Sequence, residues 1–357
     1  MTPDLLRRVL YEQTSLPIFQ NRMYPTEAEA KSCPKGDMCL VEDQCTGLIY
    51  NAVFNSDGMI YDAHYQNEQG VSPLFRVHLE AAVSIVLRDM GKQDLVEIGC
   101  GKGLFLEMLL AQGADVTGFD PAYEGSNPRV LLKYFEPSAG ICAKGLVMRH
   151  VLEHVQNPYE FLVSLRDANK DAGLIYIEVP CFDWICEHRA WFDIFYEHVN
   201  YFRLSDFHRM FGRVVDSGRL FGGQYLYVVA DLASLKRPQI NSDDRAVIPN
   251  DFTRGIAELA RSQTGKSAIW GGASKGVIFA MLRSRLGEKV EMVIDINPAK
   301  QGKYLPGTGL LVHSPERAMA SLPPGSTIYV MNSNYLEEIK VMSKDAYNYI
   351  VIDRARL

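Results

Sequence analysis

The stretch LVEIGCGKGLFLEMLLAQGADVTGFD, Leu95 to Asp120, sets three glycines in tight succession between an apolar run and a helix-like segment. Strand, glycine turn and helix in that order commit the region to a parallel α/β unit with a ligand at the turn. The spacing then selects the ligand. A dinucleotide fingerprint needs G-x-G-x-x-G, whose third glycine lets the helix pack closely on the strand. Here Gly99, Gly101 and Gly103 stand as G-x-G-x-G, and Leu104 occupies the place of that third glycine. Glu97 lies inside the strand just before the turn. A carboxylate there repels a pyrophosphate but pairs with an ammonium group. S-adenosylmethionine carries an ammonium and a sulfonium and no phosphate, so the turn suits it better. Asp120, at the end of the second strand, would accept hydrogen bonds from the ribose hydroxyls of either cofactor and does not discriminate.

The surroundings extend the same pattern. A helix is expected over SPLFRVHLEAAVSIVLRDMG, then strand DLVEIG, helix GLFLEMLLAQG closed by Gly113, and strand DVTGFD. Strand GLVMRHV, helix NPYEFLVSLRDANKDAG and strand LIYIEVP follow. This alternation predicts a parallel sheet with helices on both faces. RVVDSGRLFGG and QYLYVVADL, joined through Gly222 and Gly223, read as a closing hairpin that leaves an antiparallel edge. Residues 232–250 are polar and proline-punctuated and read as a linker. A helix over DFTRGIAELARSQTG then leads into a second alternating unit, with strands SAIWGG, VEMVID, TIYVMN and YIVID and helix GVIFAMLRSRLG. Residues 1–75 are rich in turn signals, with short aromatic strands such as GLIYNAVF. Three units are therefore expected, over 1–75, 76–235 and 250–357.

A net charge of −6 with no basic block gives no nucleic-acid footprint. The N-terminus lacks the apolar core of a secretory signal, and no apolar run approaches bilayer length. A cytoplasmic location is expected, with no membrane partner. The seven cysteines are scattered and odd in number, which in that compartment argues for reduced thiols. Cys33, Cys39 and Cys45 are spaced six apart, yet no CxxC pair is present and no histidine falls among them. They read as three unpaired thiols, and no metal is expected.

VEIGCGKG, then GFDP, then RHVLEHVQNPYEFL, then YIEVP resemble the successive motifs of class I S-adenosylmethionine-dependent methyltransferases, over about residues 76 to 231. The resemblance implies a Rossmann-like fold with Glu97, Gly99, Gly101, Gly103, Asp120, Pro121 and His150 at the cofactor. HVLEH also fits H-x-x-E-H, a zinc-protease pattern, which needs a helix presenting both histidines on one face. His150 instead falls at the end of an expected strand.

Methyl transfer from a sulfonium mainly requires alignment of donor and acceptor. A poorly nucleophilic acceptor also needs a base to remove its proton. FYEHVNYF offers Glu197 and His198 beside Tyr196, Asn200 and Tyr201, soon after a strand end, where ligands bind in open α/β sheets. A histidine satisfied within an aromatic core is the other reading of the same run.

The last unit, with IWGGASKGVIFAMLRSRLG, VIDINPAKQGKYLPGTG and MNSNYLEEI, resembles the C-terminal domain of the family typified by nucleotide-deoxysugar C-3 methyltransferases. Such proteins have a small zinc-binding N-terminal domain, a cofactor domain and a Rossmann-like C-terminal domain. The family's central motif resembles Tyr-His-Glu-His followed by Tyr-Phe, with the closing histidine as base. Glu197 and His198 match it, as do Tyr201 and Phe202, whereas the tyrosine and first histidine do not align cleanly. The two Cys-x-x-Cys pairs of the family are absent, so the zinc site is expected to be lost. YDAHYQNEQGVSPLF resembles the family's lid, with Tyr65 and Ser72 as expected substrate contacts. GGASKG, Gly271 to Gly276, followed by Asp295, also resembles a dinucleotide fingerprint. The resemblance instead implies a substrate-side role, with Lys275 and the helix N-terminus facing an anion.

The expected fold is α/β: a class I methyltransferase Rossmann-like domain, a second smaller Rossmann-like unit and a small irregular N-terminal domain. The expected function is S-adenosylmethionine-dependent methylation of a small molecule, a sugar or sugar nucleotide, at carbon or oxygen. His198 would act as base, with Glu197 orienting it or binding substrate. A non-sugar metabolite, a nicotinamide-dependent oxidoreductase built on the C-terminal unit, and a non-catalytic binding protein stand as alternatives.

Overall fold

The computed structural model describes residues 6–59, 70–255 and 265–354. Its first sheet is N-terminal and antiparallel. β1 (Arg7–Pro17) pairs with β2 (Lys35–Asp43), β2 with β3 (Ile49–Asn51), and the short helix α1 (Glu27–Lys31) lies between β1 and β2. A region read as loop-rich thus holds an eleven-residue strand. Two register shifts, at Val9/Tyr11 and Gln13/Leu16, break the alternation that would have marked it. The fourth strand comes from far along the chain: β9 (Asn200–Tyr201) adds to β3, with Ile49 opposite Tyr201 and Tyr50 opposite Asn200.

The helix α2 (Pro73–Met90) starts on a Ser72 cap, with proline in its first turn, and ends at Gly91. It covers the seven-stranded second sheet, built from β4 (Leu95–Ile98), β5 (Val116–Phe119), β6 (Val130–Leu131), β7 (Gly145–Arg149), β8 (Leu174–Pro180), β10 (Val214–Leu220) and β11 (Tyr225–Asp231). The order is β10-β11-β8-β7-β4-β5-β6, parallel from β6 to β8 and antiparallel through the closing hairpin. β4 and β7 are buried almost throughout, as strands of a doubly covered parallel sheet must be, and β4 carries one charge, Glu97. The helices α3 (Leu104–Ala111) and α4 (Pro158–Ala168) follow β4 and β7, and α5 (Phe182–Glu187) and α6 (Leu204–Met210) flank the aromatic segment after β8.

The third sheet is parallel, in the order β14-β13-β12-β15-β16, from β12 (Ser267–Trp270), β13 (Met292–Ile294), β14 (Val312–His313), β15 (Thr327–Val330) and β16 (Asn348–Val351). Its helices are α7 (Ser274–Arg285), α8 (Pro315–Ser321) and α9 (Leu336–Met342). Strand β14 and helices α8 and α9 were not read from the sequence; β14 is only two residues long. The helix expected over DFTRGIAELARSQTG falls largely outside the described residues. The stretch read as a linker runs over the body of the protein: Asp244 pairs with Arg203 and Arg209, and Ala246 is buried with its amide on Glu42.

The second and third units meet through specific bonds between loops and helix ends. Asn332 donates to Gln224 at 2.7 Å, Ser72 to Glu338 at 2.8 Å and Asn334 to the Phe221 carbonyl at 2.9 Å. Asn21, after the first strand, donates to Ser274 at 3.1 Å and ties the N-terminal sheet to the same junction.

Candidate functional site

A cavity of about 380 Å³ lies at this junction, at the carboxyl ends of the parallel strands of both sheets. From the second sheet it is lined by Glu97, Gly99, Gly101, Arg149, His150, Glu153, His154 and His198, and from the third by Trp270, Gly271, Lys275, Asp295, Asn297 and Lys300. Asn21, Ser72 and Glu338 complete the wall.

The turn after β4 is built so that only glycine serves at its start. Gly99 has φ 69°, and a Cβ there would stand 2.4 Å from Val151. Glu97 is buried, and its Oε2 has no hydrogen-bond partner among the described residues. Burial pushes its pKa up to about 8, with the Arg149 guanidinium pulling the other way and Asp120 adding to the rise. An ammonium brought to this wall would satisfy the orphaned oxygen. The amino-acid end of S-adenosylmethionine carries such a group, so these residues fit it. Asp120 uses both oxygens locally, accepting from Gly101 N and Ala122 N at 2.8 Å each. Asp120, Pro121 and Gly103 do not line the cavity; Gly103 caps α3 in the left-handed conformation.

Behind the turn sits a group that sequence reasoning missed. Glu178, fully buried on β8, accepts from Arg149 at 2.8 Å, from Tyr176 at 2.7 Å and contacts His78 at 3.0 Å and His150 at 3.1 Å. Burial alone would raise its pKa; Arg149, His150 and His78 more than offset that and hold it well below the carboxylate range. The signal was present, because a glutamate interrupts the apolar run LIYIEVP on the same strand face as Tyr176. His150 adopts φ 52°, an uncommon conformation for a residue with a side chain, and touches Glu153 at 3.2 Å as well as Glu178. Burial lowers its pKa, but the two carboxylates outweigh this and lift it to about 9.

His198 faces the cavity from the loop after α5, packed on Phe195 at 4.0 Å between ring centres and edge-on to His154 at 5.0 Å. Burial, then His154, His150 and Lys275, hold its pKa well below the ordinary imidazole value, so it stays neutral with a lone pair to offer. His154 and Glu153 lie on the short 3-10 turn after β7, not on the helix a zinc-protease motif needs. The His154 Nδ1 donates to the Glu197 carbonyl at 2.8 Å.

Other expected contacts fall elsewhere. The Glu197 carboxylate accepts from Gln20 N at 2.9 Å and is not on the cavity wall, while its carbonyl accepts from the His154 Nδ1. The Tyr196 hydroxyl exchanges hydrogen bonds with the backbone of Asn55, and that of Tyr201 with the backbone of Phe195. Asn200 donates to Val155 O. None of these three lines the cavity. Ser72 does, while capping α2. Tyr65 lies outside the described residues. Lys275 reaches the cavity, but its ammonium pairs with buried Asp193 at 3.0 Å and lies over the Trp184 ring at 4.8 Å, where the sequence suggested an anion. Asp295 repeats the arrangement of Asp120, accepting from Gly272 N and Asn297 N at 2.8 Å each.

The cysteines 33, 39 and 45 are buried, half-buried and exposed respectively; Cys39 lies on β2 opposite Glu12 and Cys45 in the turn beyond. No described helix is long and apolar enough to cross a membrane.

Residues 65–214 match the family described as Methyltransferase domain, and residues 246–349 that described as C-methyltransferase C-terminal domain. A comparison with curated proteins finds no match. Among solved structures, the chain is similar to the 1,6-didemethyltoxoflavin-N1-methyltransferase of Burkholderia thailandensis at 18% identity, covering 43% of this chain and 77% of that one with a TM-score of 0.34. It is similar to an S-adenosylmethionine-dependent methyltransferase of Listeria monocytogenes at 12%, covering 43% and 98% with a TM-score of 0.34. The cyclopropane synthase MmaA2 of Mycobacterium tuberculosis is matched at 15%, covering 48% and 72% with a TM-score of 0.33.

Proposed function

We propose that this S-adenosylmethionine-dependent methyltransferase, with its C-methyltransferase C-terminal domain, methylates a sugar or sugar nucleotide held between the second and third sheets. One observation carries the reading: a single cavity joins the Glu97 turn, the neutral His198 and the polar wall of the third sheet. That wall includes Trp270, Asn297 and Lys300. An aromatic face flanked by hydrogen-bonding groups suits a polyhydroxylated ring.

The cofactor, when bound, supplies an electrophilic methyl group on sulfur. Glu97 binds its ammonium and so fixes the donor end of the cavity. His198 takes a proton from the acceptor as the new bond to carbon or oxygen forms. For a ketosugar the proton comes from the carbon beside the carbonyl; for a hydroxyl acceptor it comes from oxygen. Burial keeps the imidazole neutral and ready for that proton. The Asp193–Lys275 pair closes the cavity between the sheets and excludes water from the developing charge.

The test is a thermal-shift titration with dTDP, UDP, GDP and CDP, each on the protein saturated with S-adenosylhomocysteine. A ligand at about a hundredfold its dissociation constant stabilises by about 2.7 kcal/mol. A shift with one nucleotide identifies the carrier. Silence from all four, with S-adenosylhomocysteine alone stabilising, would leave a methyltransferase and remove the sugar nucleotide.

A further inference from the structure

The geometry points to a divalent-cation site formed by Glu153, His154 and His198 on the acceptor side of the cavity. One ligand atom from each lies within 4.8 Å of the other two, and all three residues line the cavity. Among the described residues no other three His, Cys, Asp or Glu side chains converge in this way.

Each donor is held as a metal ligand would be. The His154 Nδ1 donates to the Glu197 carbonyl, which can only accept, so Nε2 is the ring nitrogen that would ligate an ion. A second-shell carbonyl of this kind is what fixes the tautomer of metal-binding histidines. One Glu153 oxygen is engaged by His150, and the other, Oε2, is buried with no partner among the described residues. The His198 ring lines the cavity, packed on Phe195 and edge-on to His154. A buried carboxylate oxygen without a partner is costly, and a cation between it and two imidazoles removes that cost.

Neighbouring positive charges do not bar the site. Arg149 is matched by Glu178 and Lys275 by Asp193, and His150 is held between Glu178 and Glu153. Two imidazoles and one carboxylate, with further positions open to a cavity, suit zinc and its first-row neighbours rather than calcium or magnesium. An ion at about 2.0–2.2 Å from each donor would draw the three side chains closer than they stand without one. The open positions would take water or an acceptor oxygen. The site stands independently of the proposed function, but its consequence rests on His198 acting as base. The same lone pair holds either an ion or a proton, so an occupied site would silence that base.

The experiment uses the full chain, stripped with a chelator, dialysed and saturated with S-adenosylhomocysteine. It is titrated with Zn²⁺ by calorimetry and with Co²⁺ by visible absorption. One ion per chain is expected, with cobalt bands of a four- or five-coordinate nitrogen–oxygen site and no thiolate charge-transfer band. In His154→Ala and Glu153→Gln the affinity should fall at least about tenfold, while the S-adenosylhomocysteine thermal shift shows that each variant is folded. Absence of saturable binding, binding unchanged in both folded variants, or a thiolate band tracing the ion to cysteine would each overturn the site. Because no methyl acceptor is present, these outcomes are separate from the failure of the nucleotide titration.

Discussion

Lys275, in the first turn of α7, meets Asp193 of the second unit at 3.0 Å, in the wall of the cavity and nearly out of solvent. Burial outweighs the ammonium and leaves the Asp193 pKa above the ordinary carboxylate range. Breaking a buried pair by removing one partner typically costs about 3–5 kcal/mol. Lys275→Met should fall at the low end, because a lone Asp193 can take up a proton and become neutral. Asp193→Asn combined with Lys275→Met should recover part of the loss in urea unfolding. A single variant as stable as the wild type would show that the pair does not hold the two units together.

Cofactor binding should release a proton. In the free protein at pH 7 Glu97 is largely protonated, because its pKa stands at about 8. An ammonium beside it favours the carboxylate, so calorimetry with S-adenosylhomocysteine in buffers of different ionisation heat should report release approaching one proton. Glu97→Gln should abolish it.

The same carboxyl makes the free protein less stable as pH rises. The folded pKa lies above the unfolded one, so Glu97 carries no penalty below the ordinary carboxylate range. Stability is then lost until pH passes about 8. The melting temperature of the free protein should fall between pH 5 and 8 more steeply in the wild type than in Glu97→Gln. Saturation with S-adenosylhomocysteine should flatten the difference. Parallel profiles for the two proteins would contradict the raised pKa.

His198→Ala should lower kcat by about 10²–10⁴-fold if the imidazole removes the acceptor proton. Glu97 and the glycine turn are untouched, so the thermal shift from S-adenosylhomocysteine should persist. A variant that binds the cofactor and turns over at the normal rate would take the base role away from this histidine.

Gly276→Ala places a Cβ 1.9 Å from the Gly271 carbonyl oxygen, a clash with backbone rather than with a movable side chain. Overpacking of this kind costs about 1–3 kcal/mol. A lowered melting temperature is expected, with no change in the response to NAD because none is expected from either protein. An NAD-induced shift in the wild type would revive the dinucleotide reading of Gly271–Gly276.

The parallel sheets were legible because most of their strands are short apolar runs alternating with helical segments, two of them closed by the glycines Gly99 and Gly271. The N-terminal sheet was not legible. Its edge partner β9 lies about 150 residues away from β3, and its long strands are interrupted by bulges. Within the site, Glu97 stood out because a charge inside a buried strand is rare, and Glu178 could have been found on the same ground. Asp120 and Asp295 follow their strands at corresponding positions, and each accepts two loop amides. Glu153, His154 and His198 meet only because a 3-10 turn and a distant loop converge, which no local pattern encodes.

The pairing of β9 with β3 gives the N-terminal piece a hold on the segment that carries His198, two residues before that strand. The front of the chain is therefore not a detachable module. A chimera that exchanged the first sheet for a relative's would have to bring a matching edge for Asn200 and Tyr201. Without one, the loop that carries His198 would lose its anchorage, and an unpaired strand edge would be exposed to neighbouring molecules.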